Sequence, residues 1–261
     1  MRKDIFILVS LVILGCLAVT CKKVVHLELN TASPSIVIQG NVYDHAGPFV
    51  VKISRSVNFY DPSVYPAVSG ANVTISDNLG HSDQLTEKAP GMYVTSILLG
   101  IPKTTYTLKV NVGGQSYSAS STMPEAVEIG AITFQKSLFG DNIYPGINFA
   151  DPPNISNYYR LIYSVNNVLY PDINVTDDKL SEGKTIAYVI RPADTDTKLK
   201  SGDNVTIWLE SVDESVYEYF RTAGREGGQS ASPANPTSNI SNGALGYFNA
   251  CSVRVHSAIV P

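Results

Sequence analysis

The sequence is poor in the residues that most often carry chemistry. It has three cysteines, four histidines and one tryptophan in 261 residues. Two of the cysteines, Cys16 and Cys21, lie close to the N-terminus, and only Cys251 is remote from them. That arithmetic argues against a disulfide framework, and Cys251, in an apolar strand-like run, reads as a small buried core residue. His26, His45, His81 and His256 are scattered, with no second His or Cys at ligand spacing. A structural zinc site needs four convergent ligands, so no metal site is expected from them. HExxH, GxSxG, GxGxxG and Walker-type loops are all missing, so no catalytic residue and no cofactor is predicted. Charged residues make up 16% of the chain and the formal net charge is −4, with no basic patch. Nucleic-acid binding, which needs clustered Lys and Arg, is excluded on that ground.

What is present begins with Arg2 and Lys3 followed by an almost unbroken apolar run, Ile5 to Thr20. A membrane-spanning helix needs roughly 20 such residues, so the run fits the core of a secretory signal better. Either Cys16, preceded by Gly15, or Cys21, preceded by Thr20 and followed by Lys22-Lys23, suits acylation. Small Gly15 favours Cys16; position just before the first expected strand favours Cys21. Residues 1–21 are therefore read as a lipoprotein signal and acylation region, and the lipid would hold the protein on a membrane. Residues 1–20 carry a net +1 from Arg2, Lys3 and Asp4, so removing them from the −4 of the whole chain leaves −5.

Period-two alternation then dominates, as half-buried strands require. It appears at 24–30, 35–43, 49–57, 71–77, 91–98, 105–112 and 115–123. Turn residues separate these runs, and Gly113-Gly114 is a tight-hairpin signal because both residues accept positive φ. About seven short strands in about 100 residues describe an immunoglobulin- or transthyretin-like β-sandwich, placed at 24–123. Pro124 and Glu125 mark a boundary. A second β domain, 125–261, is read from runs at 131–136, 146–150, 158–165, 185–192, 204–212 and 245–257, the last long enough to bend or carry a bulge. The predicted fold is thus all-β, with two antiparallel domains, the second a sandwich or barrel-like. One short helix is expected near 213–223, started by a capping box from Ser211 to Glu214, buried through Val216, Tyr217 and Phe220, and stopped at Gly224. A long loop, 224–243, follows it.

Two segments stand out. Asp151-Pro152-Pro153 ends one strand, since proline cannot continue a ladder, and Asn157-Tyr158-Tyr159-Arg160 begins the next. Asp151 and Arg160 are expected to pair across this corner, and Asn157 to cap the bend. In the second segment Asn235 and Asn239 precede Gly243 and Gly246, glycines that permit close backbone approach. Tyr247 and Phe248 must point to opposite faces, one into the core. Tyr158, Tyr159 and Tyr247 are the candidate ligand or partner surface. Asp177-Asp178 and Asp194-Thr195-Asp196 are weighed as calcium-binding loops and read as solvated loops instead, because they lack the glycine and distal glutamate of an EF-hand.

These segments, with Cys21 to Leu27, Val68 to Val73 and Pro90 to Tyr93, are where the chain resembles the DUF4249 family of Bacteroidetes lipoproteins. The resemblance covers nearly the whole chain after the leader and implies that Cys21 is the acylated residue. It implies outer-membrane localisation, on the surface or the periplasmic face, and often companionship with a TonB-dependent transporter. The expected function is a non-enzymatic accessory lipoprotein that binds a ligand or partner; the alternative is a structural or adhesion component of the envelope.

Overall fold

The computed structural model describes residues 33–57, 64–138, 140–192, 198–226 and 235–261. Cys16, Cys21, the strand expected at 24–30, the Asp194–Asp196 loop and residues 227–234 of the long loop lie outside them. Pro34–Pro261 form one compact unit. Among the described residues no helix is long and apolar enough to cross a membrane.

The fold is all-β, built of stacked sheets with one short helix and no closed barrel. In chain order the first half gives β1 (Ile36–Tyr43), β2 (Val50–Arg55), β3 (Asn72–Asp77), β4 (Ser82–Gln84), β5 (Thr86–Ala89), β6 (Met92–Val94), β7 (Thr105–Val112) and β8 (Gln115–Thr122). The second half gives β9 (Thr133–Lys136), β10 (Ile143–Ala150), β11 (Tyr158–Val165), β12 (Val168–Leu169), β13 (Asn174–Asp177), β14 (Thr185–Val189), β15 (Asn204–Val212), α1 (Glu214–Glu226) and β16 (Leu245–Ile259). The alternating runs at 105–112, 158–165 and 204–212 become strands with those bounds. Gly113 and Gly114 turn the β7–β8 hairpin at φ 58° and 76°. The short strands β4, β5, β12 and β13 carry too few alternating apolar residues for the sequence pattern to mark them.

Three sheets result. A nine-stranded sheet runs β12-β11-β15-β16-β1-β2-β6-β5, with β13 also on β11. Sheets β4-β3-β7-β8 and β14-β10-β9 complete the set. Strand β16 joins the two halves. Leu245 to Cys251 pair in parallel with Val37 to Tyr43, and Ser252 to Ile259 pair antiparallel with Ser211 to Asn204. The strand handles its length by changing partners rather than by a bulge.

Alternation along these strands separates two faces. Ile38 and Val42 of β1, Phe248 and Ala250 of β16 and Leu108 and Tyr117 of the second sheet share one core. Tyr159, Leu161 and Tyr163 of β11, Ile207 and Leu209 of β15 and Ile147 and Phe149 of β10 share another. The cores divide near Pro124, yet the first also takes in Ile240 and Ala244 from the C-terminal segment. The opposite face of the long sheet carries Tyr43, Tyr158, Val212, Tyr247 and Cys251, and α1 packs on it through Val216, Tyr217 and Phe220. Cys251 is a free, buried thiol, as its apolar run suggested.

The cap of α1 differs from the sequence reading. Ser211 belongs to β15, and Asp213 is the N-cap, its Oδ1 accepting from Val216 N at 3.0 Å and its Oδ2 from Ser121 Oγ in β8 at 2.6 Å. Nor does Gly224 stop the helix, which continues to Glu226.

The half of β16 that β15 does not cover leaves backbone groups that need partners. Asn239 supplies two: its Oδ1 accepts from Phe248 N at 3.0 Å and its Nδ2 donates to Phe248 O at 2.8 Å. Ser238 Oγ donates to Gly246 O and Ser121 Oγ accepts from Ala250 N. Gly246 is required here twice over, since its φ is +96° and a Cβ would lie 2.0 Å from Ile38 O. Gly243 makes no close approach; it is a turn residue at φ +70° with open space around it. Gly246→Ala should therefore cost about 3 kcal/mol or more in denaturant unfolding, and Gly243→Ala only about 1 kcal/mol. Equal losses would mean that the Ile38 contact is not what constrains position 246.

Candidate functional site

The candidate residues fall in two places, a corner on the edge of the second core and the outer face of the long sheet. At the corner, Asp151 is buried beside the double proline. Its Oδ1 accepts from Tyr159 Oη at 2.7 Å and its Oδ2 from Gly183 N at 2.9 Å. Asn157 caps the bend, its Nδ2 donating to Ile155 O at 2.8 Å, while its N–H donates to Asp178 Oδ2 at 2.7 Å. Glu182 accepts from Asn154 N. The carboxylates of Asp151, Asp178 and Glu182 offer oxygens all within 4.8 Å of one another. Burial first, then the charges of Asp151 and Glu182, push the Asp178 carboxyl above its ordinary range. Each of the three carboxylates accepts a main-chain N–H, so their visible duty is to fix the loops around β11.

Two expectations are corrected here. Tyr159 is not a surface residue: it is fully buried, edge-on to Phe149 at 4.7 Å. Arg160 does not pair with Asp151. Successive side chains in a strand point to opposite faces, so Tyr159 takes Asp151 on the core side and Arg160 emerges on the other. There Arg160 Nη1 meets Glu210 Oε2 at 2.9 Å.

The outer face is organised by that pair. Glu210 is 2% exposed, and burial pushes its carboxyl up against the opposing pull of Arg160. The Arg160 guanidinium lies 3.8 Å over the Phe220 ring of α1. Tyr247 packs against Phe220 at 4.8 Å and Tyr219 at 4.9 Å, and Tyr158 against Tyr217 at 5.1 Å. Tyr158 and Tyr247 are thus half-buried seats for the helix, and Phe248 is the core member of its pair. Asn235 is exposed, beside the groove that Pro236 enters.

Two hollows open on this face. One, of about 400 Å³, lies between Gln39, Tyr65, Tyr219 and Pro236. The other, of about 460 Å³, is lined by Tyr43, His45, Ile162, Trp208, Glu210 and Val255. The sequence reading missed Trp208, Glu210 and Tyr43. The available signal was Glu210 itself, an acid inside the apolar run 204–212 on the parity that strand alternation assigns to Trp208.

The family described as a domain of unknown function (DUF4249) matches residues 22–257. The chain belongs to the DUF4249 family. No curated protein matches it. The matched span takes in both the acidic corner and the outer face of this DUF4249 chain, so neither feature lies in an appended segment.

Two outcomes follow from these charges. Arg160→Met leaves Glu210 buried and unpaired, and should cost about 3–5 kcal/mol in urea unfolding, whereas Arg160→Met with Glu210→Leu should stay within about 1 kcal/mol of the native chain. A carboxyl raised in the folded state contributes stability at low pH that is lost as pH rises through its folded value. The Arg160→Met loss should therefore grow with rising pH, and a loss independent of pH would sink this account. By the same sign, Asp178→Asn should flatten the fall in stability above the ordinary carboxylate range, while its amide oxygen still accepts from Asn157. Thermal melts across pH, native against Asp178→Asn, check this.

Proposed function

We propose that this protein is a non-enzymatic, lipid-anchored outer-membrane component that binds a ligand or partner as an accessory of TonB-dependent nutrient uptake. The observation that carries the reading is the outer face of the long sheet. A sheet face normally buries its apolar side against another layer. Here α1 covers only part of it, and two hollows with aromatic walls remain open on the same face. Ile162, Trp208 and Val255 lie directly opposite one another across three strands, and Val255 and Leu169 are more than half exposed. Exposed apolar patches rimmed by polar groups mark interaction sites more often than they are left idle. The signal-like N-terminus with Cys16 and Cys21, and the resemblance that links such chains to transporters, support the compartment and the partner.

A structural or envelope-spacer role is favoured by one different feature. Strand β16 ties the two sandwich cores into one sheet, which resists bending between them.

Affinity capture of the full chain from solubilised native outer membrane, read by mass spectrometry, separates the two. A reproducible, stoichiometric TonB-dependent transporter is the expected result. Recovery of the protein alone or with envelope scaffolding would move the spacer reading ahead.

A further inference from the structure

The hollow beside Trp208 has a feature that its apolar walls do not explain. Glu210 lines it while being 2% exposed. Its Oε2 accepts from Arg160 at 2.9 Å, and among the described residues no group donates to Oε1. Buried polar atoms without a partner are uncommon in folded proteins, and among the described residues Asn249 Oδ1 is the one such side-chain atom, so Glu210 Oε1 is not sealed in the core but open to a donor from the hollow. The surroundings are ring-shaped and flat. Tyr43 and His45 stack at 5.7 Å with their planes 15° apart. Ile162, Trp208 and Val255 form a cross-strand row beside them. At about 460 Å³ the space is in the range of small-molecule sites, which pair apolar walls with a few placed polar groups. Arg160 already balances the Glu210 charge, so the site as a whole favours neither a cation nor an anion.

We propose that this hollow binds a small neutral molecule carrying a ring and a hydroxyl group, the ring lying against Trp208 and Tyr43 and the hydroxyl donating to Glu210 Oε1. This deepens the binding reading above by naming a ligand chemistry, and its test does not involve the transporter, so either can fail alone.

Trp208 is the only tryptophan in the chain, so its emission reports this one place. With the full chain in phospholipid vesicles, benzyl alcohol should shift Trp208 emission saturably. Its dissociation constant should be at least about tenfold below that of toluene, which has the ring but no donor, at equal free aqueous concentration. Benzoate, an anion that offers only acceptors, should give no saturable shift. In the Arg160→Met, Glu210→Leu double variant the preference for benzyl alcohol over toluene should vanish. The proposal is overturned if benzyl alcohol gives no saturable shift, if toluene binds the intact protein as tightly, or if the preference survives in the double variant. The comparison within the intact protein decides the matter even if the variant fails to fold.

Discussion

A buried charge cannot be left alone, and the outer face of this protein is arranged around that constraint. Glu210 sits almost out of reach of solvent between β11 and β16, where the attraction to water that an ionised carboxylate loses is several times larger than thermal energy. Among the described residues only Arg160, on the adjoining strand and directly opposite in register, supplies a counter-charge. The guanidinium that satisfies Glu210 presents its flat side to Phe220, and so the pair also fixes where α1 lies. The same geometry sets the limits of the open surface. On one side of the pair the aromatic rings of Tyr158, Tyr217, Tyr219 and Tyr247 close over the sheet; on the other, Trp208 and Val255 are left facing a hollow.

The second constraint is the backbone of β16. A strand that changes its partner along its length has stretches with a neighbour on only one side. Unpaired N–H and C=O groups next to a core are costly, and here they are met by side chains rather than by another strand. Asn239 imitates a residue of a neighbouring strand for Phe248, while Ser238 and Ser121 serve Gly246 and Ala250. These partners come from two parts of the chain, Ser121 from the first sandwich and Ser238 and Asn239 from the segment just before β16. The same Ser121 hydroxyl donates to the Asp213 cap of α1. Sheet junction and helix start therefore share one hydrogen-bonded node, which couples the outer face to the first core.

Much of this was readable in the chain, unevenly. Alternation located the longer strands because a half-buried strand imposes a period of two on its residues. It also showed that Tyr247 and Phe248 must part company, and the structure decided which of them is core. The DPP corner and the NP–GALGYF segment were recognisable as built turns. Their partners were not. Asp151 and Arg160 are near in sequence and opposite in charge, which made a pair between them attractive, but they emerge on opposite faces. Tyr159 and Asp151 form the core-side bond instead, and Arg160 finds an acid fifty residues further along the chain. Short polar strands such as β4 and β5 left no pattern because they hold few apolar residues to alternate.

The sequence by itself determined the local facts: the class of secondary structure, the tight turns, the burial of Cys251 and membership in the DUF4249 family. Those follow from periodicity, turn chemistry and the identity of neighbouring residues, all of which act over a few positions. Only the tertiary structure decided that β1 and β16 pair in parallel, that Glu210 meets Arg160, and that Trp208 and Glu210 line one hollow. The reason is physical. Register between strands far apart in the chain, and the desolvation that gives a single acid its importance, depend on what lies across the sheet and on how much water remains there, and neither is written in the residues on either side.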